Sequence, residues 1–205
     1  MRIGIIGPIG VGKSLLSKKL ATYYNCPLIA EPVEKNEYLP YFYADKETFA
    51  MLSQNAFYSA LFLLMWKAKD EPRVICDSTL YSNLVFTELL RLEGIMTAME
   101  VALTYAIADE HLKRIPDLDL QIVLMRETPE LFDNVRKRGR TIEKGQEEYL
   151  QFHYANYYDV LKRLFKNYKV PEHKILWLRL GDMEDPTEFA RIIKTIEEAY
   201  ARSMK

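Results

Sequence analysis

Short apolar runs alternate along this chain with longer stretches in which apolar residues recur every three or four positions. The short runs predict buried strands, which lie at residues 2–6, 26–30, 73–77, 120–125 and 174–178. The longer stretches predict helices over residues 13–25, 46–69, 80–93, 96–112, 146–166 and 186–205, with one more that begins at residue 128. Because strands alternate with helices, we predict an α/β fold in which helices cover both faces of a five-stranded parallel sheet.

The first predicted strand leads directly into G-P-I-G-V-G-K-S, which runs from Gly7 to Ser14 and matches the phosphate-binding P-loop pattern G-x-x-x-x-G-K-[ST]. Glycines let successive backbone N–H groups turn toward an anion, and the following helix N-terminus adds partial positive charge. In such a loop Lys13 reaches the β- and γ-phosphates and the Ser14 hydroxyl holds Mg²⁺. A chance match is the alternative, expected in a chain of this length on the order of a few per cent of the time. The predicted nucleotide contacts are Gly7, Gly10, Val11, Gly12, Lys13, Ser14 and Leu15.

The composition is that of an ordinary globular chain, and its length suits a single domain over residues 1–205. Hydrophobic residues make up 49% and charged residues 28%, and the formal net charge is −1. Without a basic excess or a basic stripe, we expect neither nucleic acid nor a membrane as a partner. The longest apolar run, residues 60–66, is too short to span a bilayer, and the first residues show no signal peptide. Two cysteines make neither a disulfide scaffold nor a zinc site, so we expect a cytoplasmic protein.

Two acidic residues stand where predicted strands end. Glu31 follows the second strand, and Asp77 closes the third. In parallel α/β folds ligands bind at the carboxyl ends of the strands, so both side chains are expected near the P-loop. There Asp77 is a candidate Mg²⁺ ligand. For Glu31 taken alone, a solvated loop acid is the simpler interpretation.

Two further features have two interpretations each. Gln54 lies among apolar neighbours in the predicted helix 46–69, where its amide either satisfies an internal network or hydrogen-bonds to a ligand such as a base edge. Four cations cluster near the end of the helix that begins at residue 128: Arg136, Lys137, Arg138 and Arg140. They form either a solvated basic helix end or a mobile lid over transferring phosphates. The P-loop upstream favours a lid, which would span approximately residues 134–147.

In order and spacing, these motifs resemble the deoxynucleoside kinases, and most closely the bacterial deoxyadenosine/deoxyguanosine kinase branch. The resemblance covers nearly the whole chain. It is carried by the P-loop, E-P-V-E at 31–34, Tyr43 with Gln54, D-S-T at 77–79, and R-G-R at 138–140 with Glu143. It implies a P-loop kinase fold, ATP and Mg²⁺ as cofactors, a deoxynucleoside as substrate and a homodimeric assembly.

The resemblance also implies a role for each matching residue. Glu31 corresponds to the base that takes the proton from the nucleoside 5′-hydroxyl, and Asp77 corresponds to an acid near Mg²⁺. Tyr43, eleven residues before Gln54, and Glu143 correspond to contacts with the sugar 3′-hydroxyl, while Gln54 corresponds to the residue that reads the base. The implied catalytic residues are Glu31, Lys13, Arg138 and Arg140. The implied substrate contacts are Glu31, Asn36, Tyr43, Gln54, Asn83, Phe86 and Glu143.

Three positions depart from the family pattern. Ser78 stands where the family has an arginine beside the transferring phosphoryl group, which predicts weaker transfer unless Arg138 and Arg140 compensate. Asn83 replaces an acid of the same stretch. Asn36 replaces a tryptophan that the purine-preferring branch also lacks, which leaves room for a two-ring base. The two asparagines therefore predict altered base recognition.

The sequence thus predicts ATP-dependent phosphorylation of the 5′-hydroxyl of deoxyadenosine or deoxyguanosine, giving the 5′-monophosphate. A nucleoside monophosphate kinase is one alternative, but it would need cations around the acceptor phosphate. Between residues 31 and 54 the chain offers Lys35 and Lys46 and no arginine. A catalytically weak nucleotide-binding subunit of the same fold is a second alternative. Only Ser78 favours it, and the intact P-loop, Glu31 and Asp77 oppose it.

Overall fold

The computed structural model describes residues 1–204, with the exception of the side chain at position 142. Within these residues it contains five strands: β1 (Arg2–Ile6), β2 (Leu28–Ile29), β3 (Val74–Asp77), β4 (Leu120–Met125) and β5 (Ile175–Arg179). Neighbouring strands are parallel throughout, and their order across the sheet is β2-β3-β1-β4-β5. The predicted five-stranded parallel sheet is therefore confirmed. β2 is shorter than predicted because it lies at the edge of the sheet and pairs only with β3.

Eight α-helices of the described residues surround this sheet. They are α1 (Lys13–Tyr23), α2 (Leu39–Ala44), α3 (Lys46–Lys67), α4 (Leu80–Leu92), α5 (Ala98–Leu112), α6 (Thr128–Arg138), α7 (Glu147–Asn167) and α8 (Pro186–Ser203). The observed ends agree with the predicted ends to within about two residues. α1 ends before its predicted last residue, Asn25, because that residue has a φ angle of 46° in the left-handed region. The predicted last residue of α8, Lys205, lies outside the described residues.

The apolar core lies in two layers, one on each face of the sheet. In β3, Ile75 packs into one layer, while Val74 and Cys76 on either side of it pack into the other. Helices α1 and α8 contribute to the first layer, and α4 and α7 contribute to the second. Burial on both faces explains why these strands appear in the sequence as continuous apolar runs.

The register between β1 and β3 determines where the functional site lies. Ile5 pairs with Asp77, so β3 ends at the level at which β1 runs into the P-loop. Leu118 and Thr79 pack closely against β1 at Gly4. Only glycine fits there, because a Cβ at that position would lie 2.5 Å from side-chain atoms of both residues. Asp77 and the P-loop therefore lie side by side at the carboxyl edge of the sheet.

One helix of the described residues, α3, is long and apolar enough to cross a membrane by length and composition alone. Core helices of globular proteins pass the same test, and 33% of the most apolar window of α3 is buried inside the protein. Its buried residues Tyr58, Leu61 and Met65 belong to the core layer that also includes α4 and α7. The length and composition of α3 are therefore weak evidence for a membrane span.

Candidate active site

The residues between β1 and α1 form a glycine-rich turn that ends at a helix N-terminus. Gly10 and Gly12 have φ angles of 84° and 104°, a conformation that favours glycine. The ammonium group of Lys13 donates to the carbonyl oxygens of Gly7 at 2.9 Å and Pro8 at 3.2 Å. These bonds keep the cation beside the loop, whose backbone N–H groups suit a phosphate.

An open cleft of about 850 Å³ extends from this loop along the carboxyl edge of the sheet. Its lining includes residues 10–15, the segment 28–35 and Asp77. The cations among its lining residues are Lys13, Lys18, Lys35, Arg126, Arg138 and Arg140. This concentration of positive charge beside a P-loop suits a nucleoside triphosphate.

Two residues of the cleft, Arg126 and Asn134, are absent from the sequence-based candidates. Arg126 donates through Nε to the carbonyl of Val11 at 3.1 Å, and Asn134 donates through Nδ2 to the carbonyl of Gly10 at 2.8 Å. Both side chains therefore brace the P-loop. Arg126 directly follows β4. The rule that ligands bind at the carboxyl ends of parallel strands could therefore have identified it. No sequence signal marks Asn134.

A smaller cavity of about 90 Å³ adjoins the cleft and is lined by residues of α2, α3, α4 and α7. Most of the implied substrate contacts line it: Glu31, Tyr43, Gln54, Asn83, Phe86 and Glu143. The residues that line both the cleft and the cavity are Lys13, Glu31, Val33, Arg138 and Arg140. The four residues with an implied catalytic role therefore lie where the two spaces meet.

Glu31 lies at this junction in surroundings that change its acidity. Burial raises the pKa of its carboxyl group, an effect that the charge of Lys13 opposes and that of Asp77 reinforces. Ser78 and Arg140 lower the pKa by smaller amounts. A carboxylate with a raised pKa is better matched to accept a proton from a hydroxyl group at neutral pH. The position at the junction favours this role over that of a solvated loop acid.

Glu143 connects the basic segment after α6 with the cavity. Its side chain is 5% exposed, and Oε1 lies 2.5 Å from an Arg138 nitrogen and 3.7 Å from an Arg140 nitrogen. Its other oxygen, Oε2, is buried and accepts no hydrogen bond from any described residue. Burial and the charge of Glu143 raise the pKa of Tyr43, which keeps the phenol protonated as a donor. An acceptor and a donor are thus both available to a substrate hydroxyl.

The basic cluster divides into two parts. Arg138 and Arg140 line the cleft and the cavity. Arg136 forms an ion pair with Asp133 and has a side chain that is 72% exposed, and Lys137 is also exposed. Each interpretation of the cluster therefore fits two of its four residues. The mobility of the segment as a lid stays a prediction.

Gln54 faces the cavity with an amide that the protein leaves unsatisfied. The residue is 7% exposed, and its Oε1 is buried without a hydrogen-bond partner in the described part of the chain. Asn83 and Phe86 line the same cavity from α4. Two amides and an aromatic ring offer contacts for the edge and the face of a base. This arrangement favours ligand binding over an internal network as the role of Gln54.

Asn36 does not reach the cavity, although the resemblance implies that it contacts substrate. It is 5% exposed, and its Nδ2 donates to the backbone oxygen of Ser53 at 3.0 Å and to the hydroxyl of Ser53 at 3.1 Å. Its Oδ1 accepts from the backbone N–H of Tyr38. Asn36 therefore anchors the segment before α2 to α3, one residue from Gln54.

Asn36→Ala is expected to lower the free energy of unfolding by about 1–3 kcal/mol, because it removes the buried hydrogen bonds from Asn36 to Ser53 and the one that Asn36 accepts from Tyr38. Urea unfolding followed by circular dichroism measures this change. Glu37→Ala, at the neighbouring exposed position, is the matched control and should change stability little. Equal stability of the Asn36 and Glu37 variants would contradict the anchoring role.

Asp77 and Ser14 offer the oxygen ligands that Mg²⁺ prefers, and both line the cleft. Asp77 is 4% exposed, and its Oδ1 is buried with no hydrogen-bond partner among residues 1–204. The described residues contain no group of three or more His, Cys, Asp or Glu that could hold a metal ion. One carboxylate and one hydroxyl fit Mg²⁺ that is held jointly with nucleotide phosphates.

Ser78 is 1% exposed, has a φ angle of 84° and lines neither the cleft nor the cavity. Its hydroxyl is uncharged and, through a hydrogen bond, lowers the pKa of Glu31. Arg126 lines the cleft together with Arg138 and Arg140, so guanidinium groups are present without an arginine at position 78.

Comparisons with known proteins show relatives of this chain. Deoxyguanosine kinase of Lactobacillus acidophilus is 31% identical over 174 residues, which cover 82% of this chain and 73% of that protein. Deoxyguanosine kinase of Bacillus subtilis is 28% identical over 206 residues. That match covers 96% of this chain and 96% of that protein.

A solved structure of deoxyadenosine kinase from M. mycoides with bound dATP shares the fold. It has a TM-score of 0.80 and 23% sequence identity, and the match covers 96% of this chain and 100% of that one. The sequence model of the family described as deoxynucleoside kinase matches residues 3–200. The chain therefore belongs to the deoxynucleoside kinase family.

Proposed function

We propose that this protein transfers the γ-phosphoryl group of ATP to the 5′-hydroxyl of a purine deoxynucleoside, giving the 5′-monophosphate. The observation that carries the proposal is the junction at which Lys13, Glu31, Arg138 and Arg140 line both the cleft and the cavity. ATP in the cleft and a nucleoside in the cavity would bring the phosphoryl group and the acceptor hydroxyl together there.

Each residue at the junction has a defined part in this reaction. Glu31 accepts the proton of the 5′-hydroxyl as the oxygen attacks the γ-phosphorus, while the bond from the γ-phosphorus to the bridging oxygen breaks and ADP leaves. Lys13 and the guanidinium groups of Arg138 and Arg140 stabilise the charge on the transferring group. Ser14 and Asp77 would hold Mg²⁺, which when bound neutralises charge on the β- and γ-phosphates. Residues 134–147 would close as a lid and exclude water, within one catalytic domain over residues 1–205.

The amides of Gln54 and Asn83 suit the edge of a base, and the proposed preference is for a purine. An amide both donates and accepts, so it can pair with the adjacent acceptor and donor on the edge of adenine or guanine. The relatives with the names deoxyguanosine kinase and deoxyadenosine kinase agree with this preference.

A phosphorylation screen of the four natural deoxynucleosides with ATP and Mg²⁺ tests the proposal. We expect deoxyadenosine or deoxyguanosine to have the highest kcat/KM, by about tenfold over thymidine and deoxycytidine, the effect of roughly 1.4 kcal/mol. A pyrimidine deoxynucleoside as the best substrate would contradict the purine preference. Absence of any nucleoside phosphorylation would contradict the kinase function itself.

A nucleoside monophosphate kinase is less compatible with the geometry. Such an enzyme needs cations around the acceptor phosphate that are separate from those around ATP. The cations that line the cavity are Lys13, Arg138 and Arg140, and all three also line the cleft. Within the described residues the cavity therefore offers no cation of its own.

We also propose that the protein is a homodimer. Met99, Leu103 and Ile107 are 70%, 47% and 42% exposed at i, i+4 and i+8 on α5, and Leu63 and Trp66 are exposed on the neighbouring α3. An apolar surface of this kind commonly marks an interface, and a second copy of the chain is its proposed occupant.

Leu103→Glu is expected to convert the dimer into a monomer, because it places a charge in the middle of the apolar stripe on α5. Size-exclusion chromatography with light scattering measures the mass. Lys194→Glu, at an exposed position on α8, is the control and should remain dimeric. A monomeric wild-type protein would contradict the proposed assembly.

The proposed location is the cytoplasm, without a nucleic-acid or membrane partner. Cys26 and Cys76 are unpaired, which fits a reducing compartment, and the net charge is −1. Recovery of the protein in the membrane fraction of expressing cells would contradict this location.

A further inference from the structure

His153 is a buried titratable residue that the proposed reaction does not use. It is 1% exposed on α7, and neither ring nitrogen forms a hydrogen bond of normal geometry with a described residue. Its Nε2 lies 3.4 Å from Oε2 of Glu93, the residue that caps the end of α4. That oxygen of Glu93 is also buried and has no hydrogen-bond partner among the described residues. The two side chains are thus paired with each other across the interface between α4 and α7.

The imidazole lies directly behind the wall of the cavity. Its ring centroid is 4.0 Å from that of Tyr149 and 5.7 Å from that of Phe86. Both of these rings line the cavity. Tyr149 in turn makes an edge contact at 6.2 Å with Tyr43, a candidate for binding the sugar hydroxyl. A change at His153 can therefore reach the nucleoside through two direct ring contacts.

We propose that His153, paired with Glu93, is a positioning residue for the nucleoside: it holds Tyr149 and Phe86 in place, and its protonation weakens nucleoside binding below neutral pH. The inference rests on the proposed function, because it takes the cavity to be the nucleoside site.

The buried position of His153 favours an uncharged imidazole at neutral pH, and three titratable groups face the ring. They are Glu93 from the end of α4, Lys46 from the start of α3 and Tyr149 from α7 itself. Burial has the largest effect and lowers the pKa of His153; Glu93 opposes this effect, and Lys46 adds to it weakly. Burial also raises the pKa of Tyr149, so its phenol stays neutral. His153 therefore takes up a proton only in acid.

The direction of the effect follows from the loss of water when the cavity is filled. A bound nucleoside covers Tyr149 and Phe86, which makes the surroundings of His153 less polar and disfavours the imidazolium further. The two equilibria are linked, so the effect is reciprocal. If the bound nucleoside lowers the proton affinity of His153 by some factor, protonation of His153 lowers the nucleoside affinity by the same factor. ATP in the cleft contacts neither ring, so its affinity should not change with the charge of His153.

Calorimetric titration with the purine deoxynucleoside selected by the screen, without ATP, tests this coupling. We expect the Kd of the wild type to rise severalfold as the pH falls from 7.5 through the lowered pKa of His153. His153→Gln keeps an N–H group that can reach Glu93 and cannot become charged. Its Kd should therefore depend on pH less than that of the wild type and be near the wild-type value at pH 7.5. His111→Gln is the matched control, because His111 also stacks on an aromatic ring, that of Phe62 at 3.9 Å, and does not line the cavity. It should retain the pH dependence of the wild type.

A titration of the histidine ring protons by NMR is done on the wild-type protein, so it does not depend on whether His153→Gln folds correctly. The chain has three histidines, so the signals can be assigned with variants of His111 and His173. Saturating nucleoside should lower the pKa of His153 and leave that of His111 unchanged. An unchanged pKa of His153, or the same pH dependence of Kd in His153→Gln as in the wild type, would overturn the proposal. Nucleoside binding without phosphorylation would instead contradict the kinase function and leave the coupling measurable.

Discussion

Glu31→Gln is expected to lower kcat by about 10²–10⁴ and to leave the KM for ATP nearly unchanged. Glutamine keeps the size and polarity of the side chain but cannot accept the proton of the 5′-hydroxyl. The affinity for ATP depends on the P-loop and the cations of the cleft, which the substitution does not alter. Steady-state kinetics with the best deoxynucleoside at varied ATP concentration measure both quantities.

Glu37→Gln is the matched control for this variant. Glu37 is exposed in the same segment of chain and lines neither the cleft nor the cavity, so kcat should stay close to that of the wild type. Near-normal turnover of Glu31→Gln would exclude Glu31 as the general base. A large rise in the KM for ATP with unchanged kcat would assign Glu31 to nucleotide binding instead.

The pH profile provides a second measurement of the same role. Burial, reinforced by Asp77, raises the pKa of Glu31, and only the carboxylate form accepts a proton. The kcat should therefore fall as the pH drops through this raised pKa, at a higher pH than for an ordinary glutamate of pKa about 4.3. Glu31→Gln should lack this acid limb. The effect of His153 is distinguishable because it appears in nucleoside affinity and persists when ATP is absent.

The fold and the centre of the site could be predicted because they depend on local patterns. The P-loop is a continuous motif, and its flanking strand and helix are recognisable from apolar spacing. Glu31 and Asp77 could be placed beside it because the carboxyl ends of parallel strands share one edge of the sheet. The register that pairs Ile5 with Asp77 is the physical basis of that inference.

Roles that depend on partners distant in the sequence could not be predicted. The amide of Asn36 donates a hydrogen bond to Ser53. The amide of Asn134 donates one to Gly10, which is 124 residues away. The spacing of the basic cluster likewise does not show that Arg138 lines the cleft and pairs with the buried Glu143. In each case the tertiary contact decides how the side chain is used, and neither periodicity nor motif spacing contains that information.

Removal of the 3′-hydroxyl from the substrate is expected to lower kcat/KM by about 10²-fold or more. Glu143 Oε2 is buried without a partner among the described residues, and Tyr43 keeps its proton, so together they suit a hydroxyl that both donates and accepts. A 2′,3′-dideoxynucleoside would leave these buried groups unpaired, which costs more than the loss of an exposed hydrogen bond. The measurement compares each deoxynucleoside with its dideoxy analogue under the same conditions.

The variants separate the recognition of this hydroxyl from general damage to the site. Tyr43→Phe removes the donor and should reduce the ratio of kcat/KM between deoxy and dideoxy substrates, mainly through poorer use of the deoxynucleoside. Tyr41→Phe, a 58% exposed position on the same helix, is the control and should keep the ratio of the wild type. Equal kcat/KM for deoxy and dideoxy substrates in the wild type would refute the assignment of Tyr43 and Glu143.

The fall in kcat/KM on removal of the 3′-hydroxyl should appear in kcat as well as in KM. The reason is that one oxygen of Glu143 pairs with arginines while the other is available to the substrate. Its Oε1 pairs with Arg138 and Arg140, and both arginines line the junction where the phosphoryl group is transferred. A hydroxyl bound at Oε2 fixes the carboxylate and thereby the guanidinium groups that it holds. A dideoxynucleoside leaves that carboxylate free to turn, so the arginines are less well placed to stabilise the transition state. Glu143→Gln weakens the ion pairs themselves and should lower kcat even for deoxynucleosides. A dideoxy analogue that raised KM alone would show that sugar recognition and phosphoryl transfer are independent.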